Sequence, residues 1–309
     1  METSAKEAFN VEQTFTTLLR IPALTCSLIL FFYLFTERNL RRSLNNHVII
    51  ALLIIGLFSQ LMDIPFYLNY LRINYVWPPI PVTCILWWFS ATGISNLTNI
   101  LMAWASVEQY ILVFHDRWLL NRKKCLLIHD FPLFGIVLYG FIFYITIFKI
   151  FSCDNMYTYE WDRCLYPCFY QNGLLGLYDT VSNSILPTPI ITICSIGLVI
   201  RVIEQRQTLH RHVEWRKYRK MIIQMLSITE TFLIFNLPVT CLVLAHFCGL
   251  PNGSAGQFEF YAYYLCHFIS LLTPFVCVSS MHKVRKRIKQ LIMFRTVNNT
   301  ITPGQISFP

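Results

Sequence analysis

One stretch decides the fold: Val82-Thr-Cys-Ile-Leu-Trp-Trp-Phe-Ser-Ala-Thr-Gly-Ile-Ser-Asn-Leu-Thr-Asn-Ile-Leu-Met-Ala-Trp-Ala-Ser-Val-Glu-Gln-Tyr-Ile-Leu-Val-Phe114. It carries a single charged residue, Glu108, near its far end. A helix needs about 20 mostly apolar residues to cross roughly 30 Å of bilayer hydrocarbon, and this stretch exceeds that. Working outward, six more stretches read the same way: Thr14–Thr36, Val48–Tyr70, Leu126–Ile150, Leu174–Ile200, Met221–Cys248 and Glu259–Met281. The loops between them are short and rich in Arg, Asn, Asp and Pro. The reading is an all-α membrane protein, a seven-transmembrane helix bundle. Residues 1–13 form an N-terminal segment, 14–281 the bundle, 282–295 a surface helix and 296–309 a short tail.

Composition agrees. Charged residues make up 13% of the chain and hydrophobic ones 55%. Soluble domains carry about 25% charged residues, so this chain has too little polar surface to cover seven apolar helices in water. Met1 to Val11 is polar and lacks the basic start and small-residue cleavage site of a removable signal peptide, so the first apolar segment is expected to act as the targeting signal.

The formal charge is +9, and its distribution gives it meaning. Of the 25 Lys and Arg residues, 20 fall on one side if the spans alternate. Arg38, Arg41 and Arg42 lie in the first such loop, and Arg117, Arg122, Lys123 and Lys124 in the second. Seven more lie between Arg201 and Lys220, and six between Lys283 and Arg295. Basic loops stay on the cytoplasmic side, so the N-terminus is expected outside, in the plasma membrane. This accounts for the net charge without nucleic acid.

After the last span comes His282-Lys-Val-Arg-Lys-Arg-Ile-Lys-Gln-Leu-Ile-Met-Phe294. Val284, Ile288, Leu291 and Ile292 share one helical face and cations cover the rest, which suits an amphipathic helix lying on anionic membrane lipids.

Of the eleven cysteines, Cys84, Cys153, Cys164 and Cys168 fall on the outer side, where disulfides form. Four cysteines allow three pairings. The preferred one is Cys84–Cys168, pinning the long second outer loop to span three, with Cys153–Cys164 closing the loop on itself. No metal site is expected in the chain, and none at these thiols in particular, since no second ligand group accompanies them. Asn252-Gly-Ser254 is a glycosylation acceptor in an outer loop.

Cys84 precedes Glu108-Gln109-Tyr110 by twenty-four residues. Span six contains Phe232-Leu-Ile-Phe-Asn236-Leu-Pro238, and span seven Thr273-Pro274-Phe-Val-Cys277. Pro187 stands in span five. Over roughly residues 14–295 this pattern resembles the rhodopsin-like (class A) G-protein-coupled receptors, and within them a divergent group of uncharacterised invertebrate orphan receptors. The match to the orphan group rests on Ile21-Pro22, Leu40 to Ile50, Asp63-Ile-Pro65, Arg219-Lys-Met221 and Phe235-Asn-Leu-Pro238. The resemblance implies an extracellular ligand and a heterotrimeric G protein as partners. It implies that Glu108, Gln109, Tyr110, Ser195, Phe232, Asn236, Pro238, Thr273, Pro274 and Cys277 carry activation.

The departures are chemical. Gln109 stands where the family's triplet has arginine, and Ser195 where a tyrosine would receive it. Gly56 replaces the span-two aspartate that binds sodium, Asn236 the span-six tryptophan and Cys277 the last tyrosine. Glu108 is thereby expected to lack an adjacent cation and to serve as a proton-sensitive switch.

Ionisable groups inside a membrane are costly and therefore candidates for function. Asp63 lies in span two before Pro65 and is expected to pair with Arg20 or a polar group of span seven. Asp179 lies in the outer half of span five. Either could hold a ligand cation or serve as a hydrogen-bonded structural acid. Ala91 occupies the position of the amine receptors' aspartate, which disfavours a small amine ligand. His267 takes the place of the opsins' retinal-linking lysine, so no retinal cofactor is expected, nor any other. Trp87, Trp88, His246 and Tyr264 complete the candidate ligand site. A disulfide-braced loop suits a peptide.

Three other readings compete. One is a ligand-binding seven-helix protein without G-protein output, a scavenger or atypical receptor, which Gln109 favours. A channel or transporter is disfavoured by the odd span count and sparse charge. An enzyme is not expected, since His129, His246 and His267 fall at different depths.

Overall fold

The computed structural model describes residues 2–37, 44–114, 126–150, 157–160, 162–164, 167–171, 173–207, 212–251, 254, 256–280 and 285. They form helices and the turns between them, with no strand among the described residues. Seven helical segments are long and apolar enough to cross a membrane: Thr14–Thr36, Asn46–Ile73, Pro81–Phe114, Leu126–Phe148, Gly173–Glu204, Ile222–Phe247 and Gln257–Ser279. These are called spans one to seven. The chain is thus a multi-pass membrane protein by architecture. The expected amphipathic helix, the glycosylation acceptor Asn252 and Cys153 lie outside the described residues.

Half of the most apolar window of span three is buried, against 17% for span four. Span three is therefore the central helix and span four a peripheral one. Leu97, Leu101 and Met102 of span three meet Leu52 of span two, Ile191 of span five and Phe232 of span six in the largest core cluster. The outward faces carry Leu18, Phe32, Phe131, Phe134, Ile193 and Ile234, all strongly exposed. A contiguous apolar exterior of this kind is stable only in an apolar solvent.

Span two breaks at Met62, between helices Leu44–Leu61 and Asp63–Ile73. Pro65 has no N–H to return to the preceding turn, and the helix kinks there. Spans three, four and five each contain a π-helical segment: Phe89–Ile94, Leu126–Asp130 and Asp179–Ile185. In span five the widened turn lies just before Pro187, and the Leu186 N–H donates to Val181 O, five residues back, at 2.9 Å. Such turns are frequent at functional sites because they redirect side chains.

The third basic segment differs from expectation. Instead of a loop over Arg201–Lys220, span five's helix continues to Gln207 and span six's begins at His212. Good helix formers such as Glu204, Arg216 and Lys217 let both helices extend beyond the apolar stretch.

Candidate functional site

Spans two, three, five, six and seven enclose a cavity of about 750 Å³. Span two contributes Gly56, Ser59 and Asp63, and span three Trp88, Ala91, Asn96 and Asn99. Asp179 and Ser184 of span five, Phe232, Asn236 and His246 of span six, and Tyr263, His267 and Thr273 of span seven complete the wall. The π-helical turns of spans three and five supply Ser90, Ala91, Thr92, Asp179, Thr180 and Ser184 to it.

The loop after span four contributes Arg163 and Tyr170 to the cavity wall. Cys84, at the start of span three, is bridged to Cys164, with Cα atoms 5.8 Å apart. The expected Cys84–Cys168 and Cys153–Cys164 pairings are therefore corrected. Cys168 is itself in a disulfide, separate from this one. The cause is local: Arg163 and Cys164 both take left-handed backbone, φ 52° and 58°. This turns Cys164 toward span three, while Cys168 opens the next turn, Cys168–Gln171. The left-handed region is uncommon for such residues and persists only when surroundings hold it. Here the bridge holds Cys164, and the Arg163 guanidinium lies 4.8 Å from the Tyr263 ring centroid in a cation–π contact. The loop is also tied to the span two–three turn, where the Val76 N–H donates to Tyr159 O at 2.8 Å.

Asp179 accepts four hydrogen bonds in the wall. Its Oδ1 accepts from Tyr144 Oη at 2.6 Å, Asn183 Nδ2 at 2.9 Å and Asn96 Nδ2 at 3.4 Å. Its Oδ2 accepts from Tyr170 Oη at 3.0 Å. A carboxylate has about four lone-pair sites. Three donors, from spans three, four and five, crowd Oδ1, and one from the loop after span four meets Oδ2, which keeps a lone-pair site at the cavity wall.

Asp63 joins spans two, three and seven. Trp87 Nε1–H donates to its Oδ1 at 3.2 Å, and His267 Nδ1 lies 3.5 Å from its Oδ2. Of the two expected partners, Arg20 or a polar group of span seven, the second is found. His267 packs edge-on against Tyr67 with ring centroids 4.6 Å apart. Deeper, Asn236 Nδ2 donates to Thr240 Oγ1 at 3.1 Å and to Thr188 Oγ1 at 3.3 Å, linking spans five and six.

Six expected ligand-site residues thus share one cavity: Asp63, Trp88, Ala91, Asp179, His246 and His267. Trp87 and Tyr264 are buried behind the wall. Tyr264 shares a hydrogen bond with Thr16 of span one at 3.1 Å. Sequence reasoning missed Arg163 and Tyr170, because loop residues carry no periodicity that points inward.

At the end of the bundle away from the Cys84–Cys164 bridge, Glu108 is fully buried and is not alone. His129 Nδ1 lies 2.5 Å from Glu108 Oε1. This corrects the expectation that Glu108 has no neighbour able to carry positive charge, and with it the basis for a switch at an isolated carboxyl. His129 stood far from Glu108 in sequence, which hid the pair. Glu108 Oε2, Gln109 Oε1 and Ser195 Oγ are buried without a hydrogen bond among the described residues. Tyr110 stacks on Phe114 and packs on Gly197, where an added Cβ would come within 2.9 Å of the ring. Phe232, Cys277 and Pro274 are buried, and Pro238 is half-buried within the span-six helix. Thr273 donates to Ile269 O in its own helix.

No family model matches the chain, and no curated protein matches it either.

Proposed function

We propose that this protein is a rhodopsin-like G-protein-coupled receptor that transmits an extracellular ligand's binding to a cytoplasmic G protein. In this reading the disulfide-bearing end faces outward and the basic end faces the cytoplasm of the plasma membrane, following the Lys and Arg distribution. The observation that carries it is the 750 Å³ cavity walled in part by a disulfide-anchored loop, with the Glu108-Gln109-Tyr110 end of span three at the opposite pole. The volume lies in the range of small-molecule sites, about 300–1,000 Å³, and fits an organic ligand or the end of a peptide. A ligand shifts the equilibrium between helix arrangements only by its differential affinity for them. Gln224 and Ser195 offer buried polar atoms without hydrogen bonds among the described residues at the basic end, groups that a rearrangement or a docked partner would satisfy.

Gln109 favours a second reading, a ligand-binding protein without G-protein output. Its buried Oε1 has no hydrogen bond among the described residues, and it offers no cation to a partner. The test compares G-protein activation across all classes for the wild type and Gln109→Arg at matched surface levels. Coupling by the wild type above mock supports the receptor reading. A silent wild type with a coupling Gln109→Arg supports the second.

A further inference from the structure

The basic end of the bundle holds a cluster that the receptor reading leaves unused. His129 and Asp130 are adjacent in sequence, yet both reach His47 of span two. The π-helical turn Leu126–Asp130 makes this possible, because its wide winding brings neighbouring side chains to one face. His47 Nδ1 and His129 Nε2 are 2.9 Å apart, His129 Nε2 and Asp130 Oδ1 3.7 Å, and His47 Nδ1 and Asp130 Oδ1 3.9 Å.

The geometry points to a zinc site formed by His47, His129 and Asp130 and oriented by Glu108. A point equidistant from the three ligand atoms lies about 2.1 Å from each, the length of a Zn–N or Zn–O bond. Two imidazoles and one carboxylate suit zinc and neighbouring transition metals, whereas magnesium and calcium take oxygen ligands. Three protein ligands leave a fourth position. Asp130 is half-exposed, with side-chain exposure of 50%, so that position opens to solvent.

The orientation of His129 supplies a second, independent observation. Its Nδ1 faces Glu108 Oε1 at 2.5 Å. With the proton held on Nδ1 by the carboxylate, the Nε2 lone pair is directed at His47 and Asp130. A carboxylate behind the far nitrogen of a ligating histidine is the usual device for fixing its tautomer. Without the ion, His47 Nδ1–H donates to the His129 Nε2 lone pair at 2.9 Å; with zinc bound, His47 would carry its proton on Nε2 instead, freeing Nδ1 as a ligand. The bound ion would hold spans two and four together, with span three attached through Glu108. This inference does not rest on the receptor reading.

The test uses the full chain, purified in detergent, stripped with a chelator and titrated with Zn²⁺ against a chromogenic competitor. One tightly held ion per chain is expected, together with a rise in Tm. His47→Gln and Asp130→Asn, at partly exposed positions, should each weaken binding by at least about 10–100-fold and abolish the rise in Tm. Glu108→Gln should weaken binding by about 10–100-fold, the usual cost of losing such a partner. His210→Gln/His212→Gln, in the basic stretch between spans five and six, should bind as the wild type does. The site is refuted by absence of stoichiometric uptake, or by uptake unchanged in both His47→Gln and Asp130→Asn. Uptake lost only in the His210/His212 variant also refutes it.

Discussion

The Tyr144 hydroxyl of span four donates to the Asp179 carboxylate of span five at 2.6 Å, and the same hydroxyl accepts from Asn96 of span three at 2.8 Å. Span four, the most lipid-exposed of these helices, is thereby anchored to the central one through buried polar atoms. Tyr144→Phe removes both contacts while keeping the ring. A hydrogen bond to a charged group contributes about 1.5–3 kcal/mol, so a loss of that order is expected in the thermal stability of the purified protein. Asp179→Ala should cost more, since it leaves four donors without their acceptor. A Tyr144→Phe protein as stable as the wild type would show that Asp179 is held by its other partners alone.

Gly93 lets that tyrosine sit where it does. A Cβ added there would lie 3.0 Å from Tyr144 Cγ, in a ring pinned by its hydroxyl. Gly93→Ala is expected to destabilise by about 1–3 kcal/mol, the range for overpacking. At Gly56, by contrast, nothing lies within 4 Å of an added Cβ. Gly56→Ala should be neutral or stabilising by up to about 1 kcal/mol from helix propensity. Thermal melts of the two variants side by side read the difference, and equal effects would contradict the packing described.

The Cys84–Cys164 bridge predicts non-additivity. Cys84→Ser and Cys164→Ser should each cost about 2–5 kcal/mol or sharply reduce surface expression. The double variant should be no worse than either single one, because the second change removes nothing further. Cys84→Ser with Cys168→Ser should be worse than Cys84→Ser alone, since Cys168 belongs to another bridge. Surface labelling of the four variants decides. The reverse pattern would restore Cys84–Cys168.

Asn236 joins spans five and six through Thr188 and Thr240. Asn236→Leu fills similar space without donors and should cost about 0.5–1.5 kcal/mol per hydrogen bond lost. Thr188→Val in that background should add less than in the wild type, as expected for one network. Strict additivity in a double-mutant cycle by thermal unfolding would show that the two act separately.

The seven spans were legible because a helix crossing hydrocarbon leaves a long, local signature. Asp63 and His267 stood out by the same logic, as ionisable residues in apolar runs, whereas Ala91 was singled out by the family resemblance. Other features were hidden by their dependence on packing between distant segments. Glu108 looked isolated because its partner His129 lies twenty-one residues away in another span. Arg163 and Tyr170 enter the cavity wall from a loop whose path follows no period. The donors around Asp179 were hidden in the same way, since three of the four come from other spans or the loop after span four.

What the sequence determined by itself is the number and extent of the membrane-crossing helices, since hydrophobicity acts residue by residue along the chain. It also determined the charge asymmetry between the two ends. Only the tertiary structure decided which cysteine meets Cys84, which donors reach Asp179 and which histidines gather at the basic end. These depend on hydrogen-bond and bridging distances of a few ångströms. The π-helical turns and left-handed residues that set them arise where helices and loops pack against one another.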